Sequence, residues 1–537
     1  PPFYSASLNH VPLPEITGEK ALSPVFPDSV EIVPAPYFKA GKFKEWLLGS
    51  NYRKEWTTAV KVPVLDISRV KGGLTPTRRG GGMQSRSLRL EDSSGREYVL
   101  RSIQKYPDKT LPEELRQTFI KDAVTDGISA SYPFAALSVP PLADAAGIPH
   151  LVPQLVYLPD DPALEQYRKD FGKELYLFEP REPEERVETT STDKMLKALR
   201  KDNDNLVEQE SVLKARLLDM FIMDFDRHDD QWRWLENDTK NGKRFSPVPR
   251  DRDQAFFTNN GVLPWLISQP WLLPKFQGLR ARARNIKTFN FNARYFDRSF
   301  LNEPDQAAWE KQLDHLLGQM TDSILNQAFL RQPAAIQGMD AQKIAGILKE
   351  RRQHFRSEAL EYYRFLSRTI ELTGSDKREW FDLSWQDSSG IQLKVFKINK
   401  AGRKSDLLYK RTIDPAITGE LRLYGLAGDD VFNLHGHAAT SPLVRIIGGE
   451  GNDSVVAEQQ GLPKASIRWY DLASENNGLT GSSPIRLKHT NRELKQEYDR
   501  KNFRYNLTAP LFSFSYNRDD GVFLGAGIKT TRHGFRK

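Results

Sequence analysis

Near residue 376 the hydrophobic period of this chain changes. Upstream, apolar residues recur at helical spacing, as Leu206, Leu213, Leu217 and Phe221 do; downstream they alternate with small or polar residues in short runs to the end. An apolar set with period 3.6 cannot be buried by a strand, nor one with period 2 by a helix. The 537 residues therefore need at least two cores, and length alone allows three or four domains at about 150 residues each. The class expected is α+β. Residues 72–375 should form a mixed domain with a small β-rich lobe and a larger helical lobe, and 376–505 a β-rich domain of β-roll or β-sandwich type. Residues 1–71, rich in proline and aromatics without a sustained period, read as an extended lead-in. In 506–537 two alternating runs meet at Asp519-Asp520-Gly521, as in the lipid-facing strands of an outer-membrane barrel.

Composition removes several functional classes. The absence of cysteine excludes disulfides, thiolate zinc sites and a cysteine nucleophile. The net charge of +8 arises from 78 basic residues interleaved with 70 acidic ones, the pattern of a solvated mixed-charge surface, so no nucleic-acid partner is expected. No apolar run reaches the roughly 18 residues of a spanning helix. The first residues lack a basic segment followed by an apolar one, so a signal peptide is expected to have been removed or never present.

The densest chemical signal is Asp224-Phe225-Asp226-Arg227-His228-Asp229-Asp230-Gln231, at the end of an apolar helix read over 206–222. A strand ending in Asp251-Arg252-Asp253 follows. Phosphoryl transfer needs one carboxylate to orient the attacking hydroxyl and others, with an amide, to hold Mg²⁺ against the phosphates. Asp226 suits the first task, with Arg227 and His228 beside it. Gln231 suits the amide, and Asp251 or Asp253 would bridge Mg²⁺ (or Mn²⁺) to ATP. Gly80-Gly81-Gly82, ahead of a hairpin turned at Asp92-Ser93-Ser94-Gly95, would cover the phosphates. Arg101 occupies the position of a phosphate-binding strand cation, with Lys105 expected on the same strand face. Asp122 or Asp126, on the following helix, would be its acidic partner. Glu179, within Tyr176–Pro183, reads either as part of an adenine-binding hinge or as a strand edge. His228 reads either as a phosphate contact or as a hydrogen-bonded loop residue, and Trp232 and Trp234 as packing anchors. The same carboxylates and arginines could instead merely neutralise one another at a domain seam.

Helices are expected over about 305–331 and 341–373, the second stopped by Gly374. Beyond them, Gly448-Gly449-Glu450-Gly451-Asn452-Asp453 matches the calcium nonapeptide of β-rolls, and Gly425-Leu426-Ala427-Gly428-Asp429-Asp430 is a degenerate copy 23 residues earlier. Either Asp430 and Asp453 ligate Ca²⁺, or the glycines simply turn stacked strands. In both cases the two aspartates should lie near each other on adjacent coils.

The Asp-Arg-His loop with its later Asp-x-Asp resembles atypical kinases: the lipid kinases, the HipA-type toxin kinases and the spore-coat CotH kinases. That resemblance implies a two-lobed kinase-like domain using ATP and Mg²⁺. Gln231 stands where those families have asparagine and Arg101 where they have lysine, and arginine is no isostere of lysine. Over its whole length the chain resembles a Bacteroidetes-type outer-membrane group. It shares with that group Gly49-Ser50-Asn51-Tyr52-Arg53, Asp226 to Trp234 and Pro249 to Phe256, ahead of a BamA-like surface-antigen barrel and sometimes fused to a metallophosphoesterase. This implies a periplasmic or cell-surface location, a barrel in cis as partner, and a protein, lipid or glycan as acceptor. Three activities follow as expectations: phosphotransfer, a pseudokinase platform without transfer, and phosphate-ester hydrolysis.

Overall fold

The structure, a computed structural model, describes residues 25–537 apart from 82–84, 107–118, 184–187, 388–389, 459–460, 464–465, 482–484, 492–496, 519–520 and 536–537. Five antiparallel strands form a first lobe: Leu74–Gly80, Ser87–Asp92, Glu97–Ser102, Gln154–Leu158 and Glu174–Pro180. In space the last strand lies between the third and the fourth. Alternation puts Leu88, Leu90, Tyr98, Leu100, Tyr176 and Phe178 into one core. The Asp92–Gly95 turn joins the second and third strands as expected. Lys105 lies beyond the strand that carries Arg101, which ends at Ser102.

Between the third and fourth strands run helices Phe119–Gly127 and Ala135–Ala145. The helical lobe is built on Gln209–Phe221, Gln306–Gln319 and Asp340–Ser367. The lead-in is not merely extended. Strand Ser29–Ile32 pairs with Val60–Pro63, and Phe38, Trp56 and Val60 join the helical core. The helix expected to stop at Gly374 ends at Ser367, and the chain passes straight into strand Thr369–Thr373. Gly374 is instead a turn glycine of the next domain.

That domain is β-rich as expected, a solenoid of two sheets sharing one core, with a coil of about 23 residues where a calcium β-roll has nine. Strands Thr369–Thr373, Glu420–Ala427, Leu443–Glu450 and Ile467–Tyr470 stack in one sheet. Glu379–Gln386, Val431–Gly436, Ser454–Ala457 and Gly478–Thr480 stack in the other. Parallel register aligns like with like: Ile370, Leu421, Val444 and Ile467 form one apolar column, and Phe381, Phe432 and Val455 another. The spacing of the two glycine motifs is thus the length of one coil.

At the corner between the sheets a buried polar ladder runs along the axis. Asp430 Oδ1 accepts the Glu379 N–H at 2.7 Å, Asp453 Oδ1 the Asp430 N–H at 2.8 Å, and Asn477 Oδ1 the Asp453 N–H at 2.8 Å. Each aspartate folds back over a glycine five residues earlier. A Cβ on Gly425 would stand 2.3 Å from Asp430 Oδ2, and one on Gly448 2.1 Å from Asp453 Oδ2. Those two oxygens are buried without a partner. Among the described residues no group of three or more carboxylates or imidazoles could hold a metal ion, so the calcium expectation for Asp430 and Asp453 finds no support and the glycine-turn alternative describes the corner.

Burial, with Asp471 as neighbouring negative charge, pushes Asp453 up to about 8, and burial likewise raises Asp430. A folded-state value above the unfolded one, near 3.9, means that the native chain holds the extra proton. The stability these groups contribute is therefore full below about pH 4 and is lost as pH rises toward 8. Asp453→Asn keeps the acceptor, as Asn477 does one coil on, and removes the ionisation. Denaturant unfolding should show a gain of more than about 1 kcal/mol at pH 8 and a flatter loss between pH 5 and 8.

The final strands, Leu507–Asn517 and Gly521–Thr531, form an isolated antiparallel hairpin. Among the described residues there is no closed barrel, and no helix is long and apolar enough to cross a membrane.

Candidate active site

The helix Gln209–Phe221 carries polar residues on a face that is nonetheless fully buried, and these shape the loop after it. Asp219 accepts from three arginines: Arg216 at 3.2 Å, Arg227 at 3.1 Å and Arg252 at 3.0 Å. Arg216 also reaches Asp297 at 2.7 Å. One buried carboxylate thus ties the Asp226 loop, the Asp251–Asp253 loop and helix Arg294–Phe300 together. Arg227, expected beside the chemistry, is fully buried. It donates to the carbonyls of Arg250 and Gln231 and packs over Trp232 at 4.8 Å, so it positions the loop. Trp232 and Trp234 are packing anchors, stacked around Phe296.

Asp226 is half-buried, accepts from Asn292 Nδ2 at 2.7 Å, and has its backbone N–H held by Asp224 Oδ1 at 3.1 Å. Asp224 is buried, and its Oδ2 has no hydrogen bond but lies 3.7 Å from the Arg227 guanidinium. Burial pushes its carboxyl up to about 7 against the pull of Arg227, with Asp219, Asp226 and Asp253 adding like charge. Asp226 and Asp253 therefore share one electrostatic neighbourhood. His228 is a hydrogen-bonded loop residue whose Nδ1 accepts the Asp230 N–H at 3.3 Å. The Gln231 amide oxygen is buried without a partner.

Across the cleft the sheet lobe presents its cations. Arg101 pairs with Glu179 on the neighbouring strand and with Asp251; Lys105 pairs with Asp253 and receives support from Ser85 Oγ at 3.0 Å. The acidic partner of Arg101 on the neighbouring strand is thus Glu179, which sits in the charge cluster. Asp126 instead binds Arg53 and Lys44, and Asp122 is exposed. Tyr52 joins the Gly49–Arg53 and Pro249–Phe256 motifs read along the chain, since Tyr52 Oη donates to the Phe256 carbonyl at 2.5 Å. Asp251 has φ +53°, a left-handed conformation sparsely used by non-glycine residues. Gly80 and Gly81 end the first strand, where a Cβ on Gly81 would meet the Ser85 carbonyl at 2.3 Å. Gly82 lies outside the described residues.

Arg250, which lies in the Pro249–Phe256 motif but was given no role from the sequence, lines the same cleft as Arg101, Lys105, Asp251 and Asp253. Its Nε and Nη2 are buried and have no partner, and burial pushes its guanidinium down to about 10. A further surprise comes from beyond the solenoid, where Arg500 clasps Asp229 of the Asp226 loop.

No family model matches the chain, and no curated protein is similar to it at a significant level. Among solved structures it is similar to the proinflammatory kinase CtkA of Helicobacter pylori, at 13% identity and a TM-score of 0.30 over 54% of this chain and 96% of that one. It is also similar to the Rio2 kinase of Chaetomium thermophilum in an ADP, Mg²⁺ and phosphoaspartate complex, at 13% and 0.24 over 54% and 72%. HipA of Shewanella oneidensis, solved with HipB and operator DNA, matches at 12% and 0.26 over 57% and 76%. Likenesses this shallow do not define a family.

Proposed function

We propose that the interlobe cleft binds a Mg²⁺-nucleotide and that the chain is a phosphotransferase of atypical kinase type. The observation that carries this reading is the cleft's charge arrangement. Arg101 and Lys105 on one lobe face Asp251 and Asp253 on the other, beside the unpartnered guanidinium nitrogens of Arg250. A buried cation without a partner is costly, and a polyphosphate with its metal is the ligand that satisfies both signs at once. Mg²⁺ takes one or two carboxylates and draws its other ligands from phosphate and water, so Asp251, Asp253 and the free Gln231 amide oxygen suit it. When bound, it would neutralise charge on the transferring phosphate. Asp226, half-exposed and oriented by Asn292, accepts the hydrogen of the attacking hydroxyl.

A second reading, a pseudokinase platform, is favoured by Arg101, whose guanidinium is already engaged by two carboxylates. The hairpin bears on location. Phe512, Phe514, Tyr516, Leu524 and Ile528 line one exposed face, and Ser513, Ser515, Gly525 and Gly527 the other, together with Leu511 and Phe523. We read it as barrel strands, and on that reading propose a location at the outer membrane, in the periplasm or at the surface; a protein, lipid or glycan is the acceptor proposed there.

A thermal-shift titration with ATP and Mg²⁺ tests the cleft. At about 100 Kd the ligand should contribute roughly 2.7 kcal/mol, and Arg250→Ala should weaken binding at least about tenfold, the loss of one charge-assisted contact. No shift in the parent overturns the reading.

A further inference from the structure

Between Asp253 and Asp297 the chain contains no carboxylate, yet it carries Lys275, Arg280, Arg282, Arg284, Lys287 and Arg294. The same stretch exposes large apolar side chains. Helix Val262–Ile267 leaves Trp265 57% and Leu266 45% exposed, and the segment after it leaves Trp271 40% and Leu272 50% exposed. Helix Lys42–Leu48 packs beside it and adds Phe43 and Trp46, at 73% and 60%, with rings 5.9 Å apart. The two helices are locked together at their ends, where a Cβ on Gly49 would stand 2.1 Å from the Asn260 carbonyl. Their exposed aromatic side chains thus stand on two neighbouring helices.

The cations border these helices. Arg284 donates to the Ser268 carbonyl at 3.1 Å and to its hydroxyl at 2.6 Å, at the end of the 262–267 helix. Arg282 and Arg284 are exposed. Burial, and then the like charge of Arg284, lowers Arg280, while from helix Asp340–Ser367 Glu361 pairs with Lys287 at 2.8 Å and Glu358 accepts the Ala283 N–H at 3.0 Å. Tryptophan and phenylalanine flanked by arginine and lysine is the composition of a surface seated at the headgroup level of a bilayer, and anionic lipid supplies counter-charge to the exposed Arg282 and Arg284.

We propose that the face formed by helices Lys42–Leu48 and Val262–Ile267 and the segment to Arg284 docks on an anionic lipid bilayer, its tryptophans entering the headgroup layer and its arginines meeting lipid phosphates. The face lies next to the candidate active site: Lys275 Nζ donates to Asn292 Oδ1 at 3.1 Å, and Asn292 donates to Asp226. Docked in this way, Asp226 faces hydroxyl acceptors carried at that bilayer. This last step rests on the phosphotransfer reading; the docking surface does not.

The test is flotation of the full chain with vesicles of phosphatidylcholine alone or with phosphatidylglycerol. A hairpin variant, Phe514→Ser with Leu524→Ser, runs in parallel so that insertion through the hairpin is told apart. The parent and the hairpin variant should bind phosphatidylglycerol vesicles at least tenfold better than phosphatidylcholine ones, with the difference lost in 0.5 M salt as surface charges are screened. Trp265→Ser with Trp271→Ser, and separately Lys42→Glu with Arg282→Glu, should lower the phosphatidylglycerol-dependent binding at least tenfold while ATP-induced thermal shifts persist. Unchanged partition in both patch variants, or equal binding to the two vesicle types, overturns the proposal. So does a parent dimer that the tryptophan variant abolishes, which would show that a second copy covers the face.

Discussion

Asp219→Ala should cost the native state about 3–5 kcal/mol, the usual penalty for removing one member of a buried ion cluster. Three arginines, Arg216, Arg227 and Arg252, lose their shared acceptor at a fully buried position. Burial alone would raise the Asp219 carboxyl, but those guanidiniums, Arg227 foremost, hold it below the ordinary range. With its folded-state value depressed, the stability it contributes is full above about pH 4 and is lost as pH falls through that lower value. Asp219→Asn keeps the volume and part of the hydrogen bonding, so it should fall between parent and alanine. Urea unfolding checks the series, and a loss under about 1 kcal/mol for the alanine variant would mean that the loops are held elsewhere.

Asp226→Ala should leave folding nearly intact and lower phosphotransfer at least about a hundredfold. The residue is half-exposed and holds one side-chain hydrogen bond, from Asn292, so its removal leaves neither a cavity nor a buried charge. The contrast with Asp219 is the informative part: seven residues apart, one carboxylate supports the loops and the other, on the phosphotransfer reading, would face the reactants. Equal rates in mutant and parent would exclude Asp226 from the chemistry and favour the platform reading.

Much of this arrangement was legible because it is written in local period. The change near 376 separated a helical unit from a β unit, although the strands begin at Thr369. The spacing of the glycine motifs is one solenoid coil, which is why Asp430 and Asp453 stack. The nonapeptide match misled because a Gly-Asp turn serves equally to let a carboxylate fold over a glycine and cap the backbone of the next coil. Long-range pairing was not legible. Asp219 sits in an apolar helix, where its burial depends on Arg252 arriving from 33 residues away. Glu179 displaced Asp122 and Asp126 as the partner of Arg101 because neighbouring strands, not the following helix, bring charges to that face. Asn292 and Arg500 reach the Asp226 loop from segments whose patterns carry no sign of it.

On the phosphotransfer reading, the two cross-cleft ion pairs are the ligand-free state of a Mg²⁺-nucleotide site. A crystal structure of the chain with a non-hydrolysable ATP analogue and Mg²⁺ tests this most directly. The account predicts the triphosphate between the lobes, Arg101, Lys105 and Arg250 turned to phosphate oxygens, and Asp251 or Asp253 released to the metal. A structure in which Arg101–Asp251 and Lys105–Asp253 persist at saturating analogue, with the cleft empty or the nucleotide bound elsewhere, would contradict it.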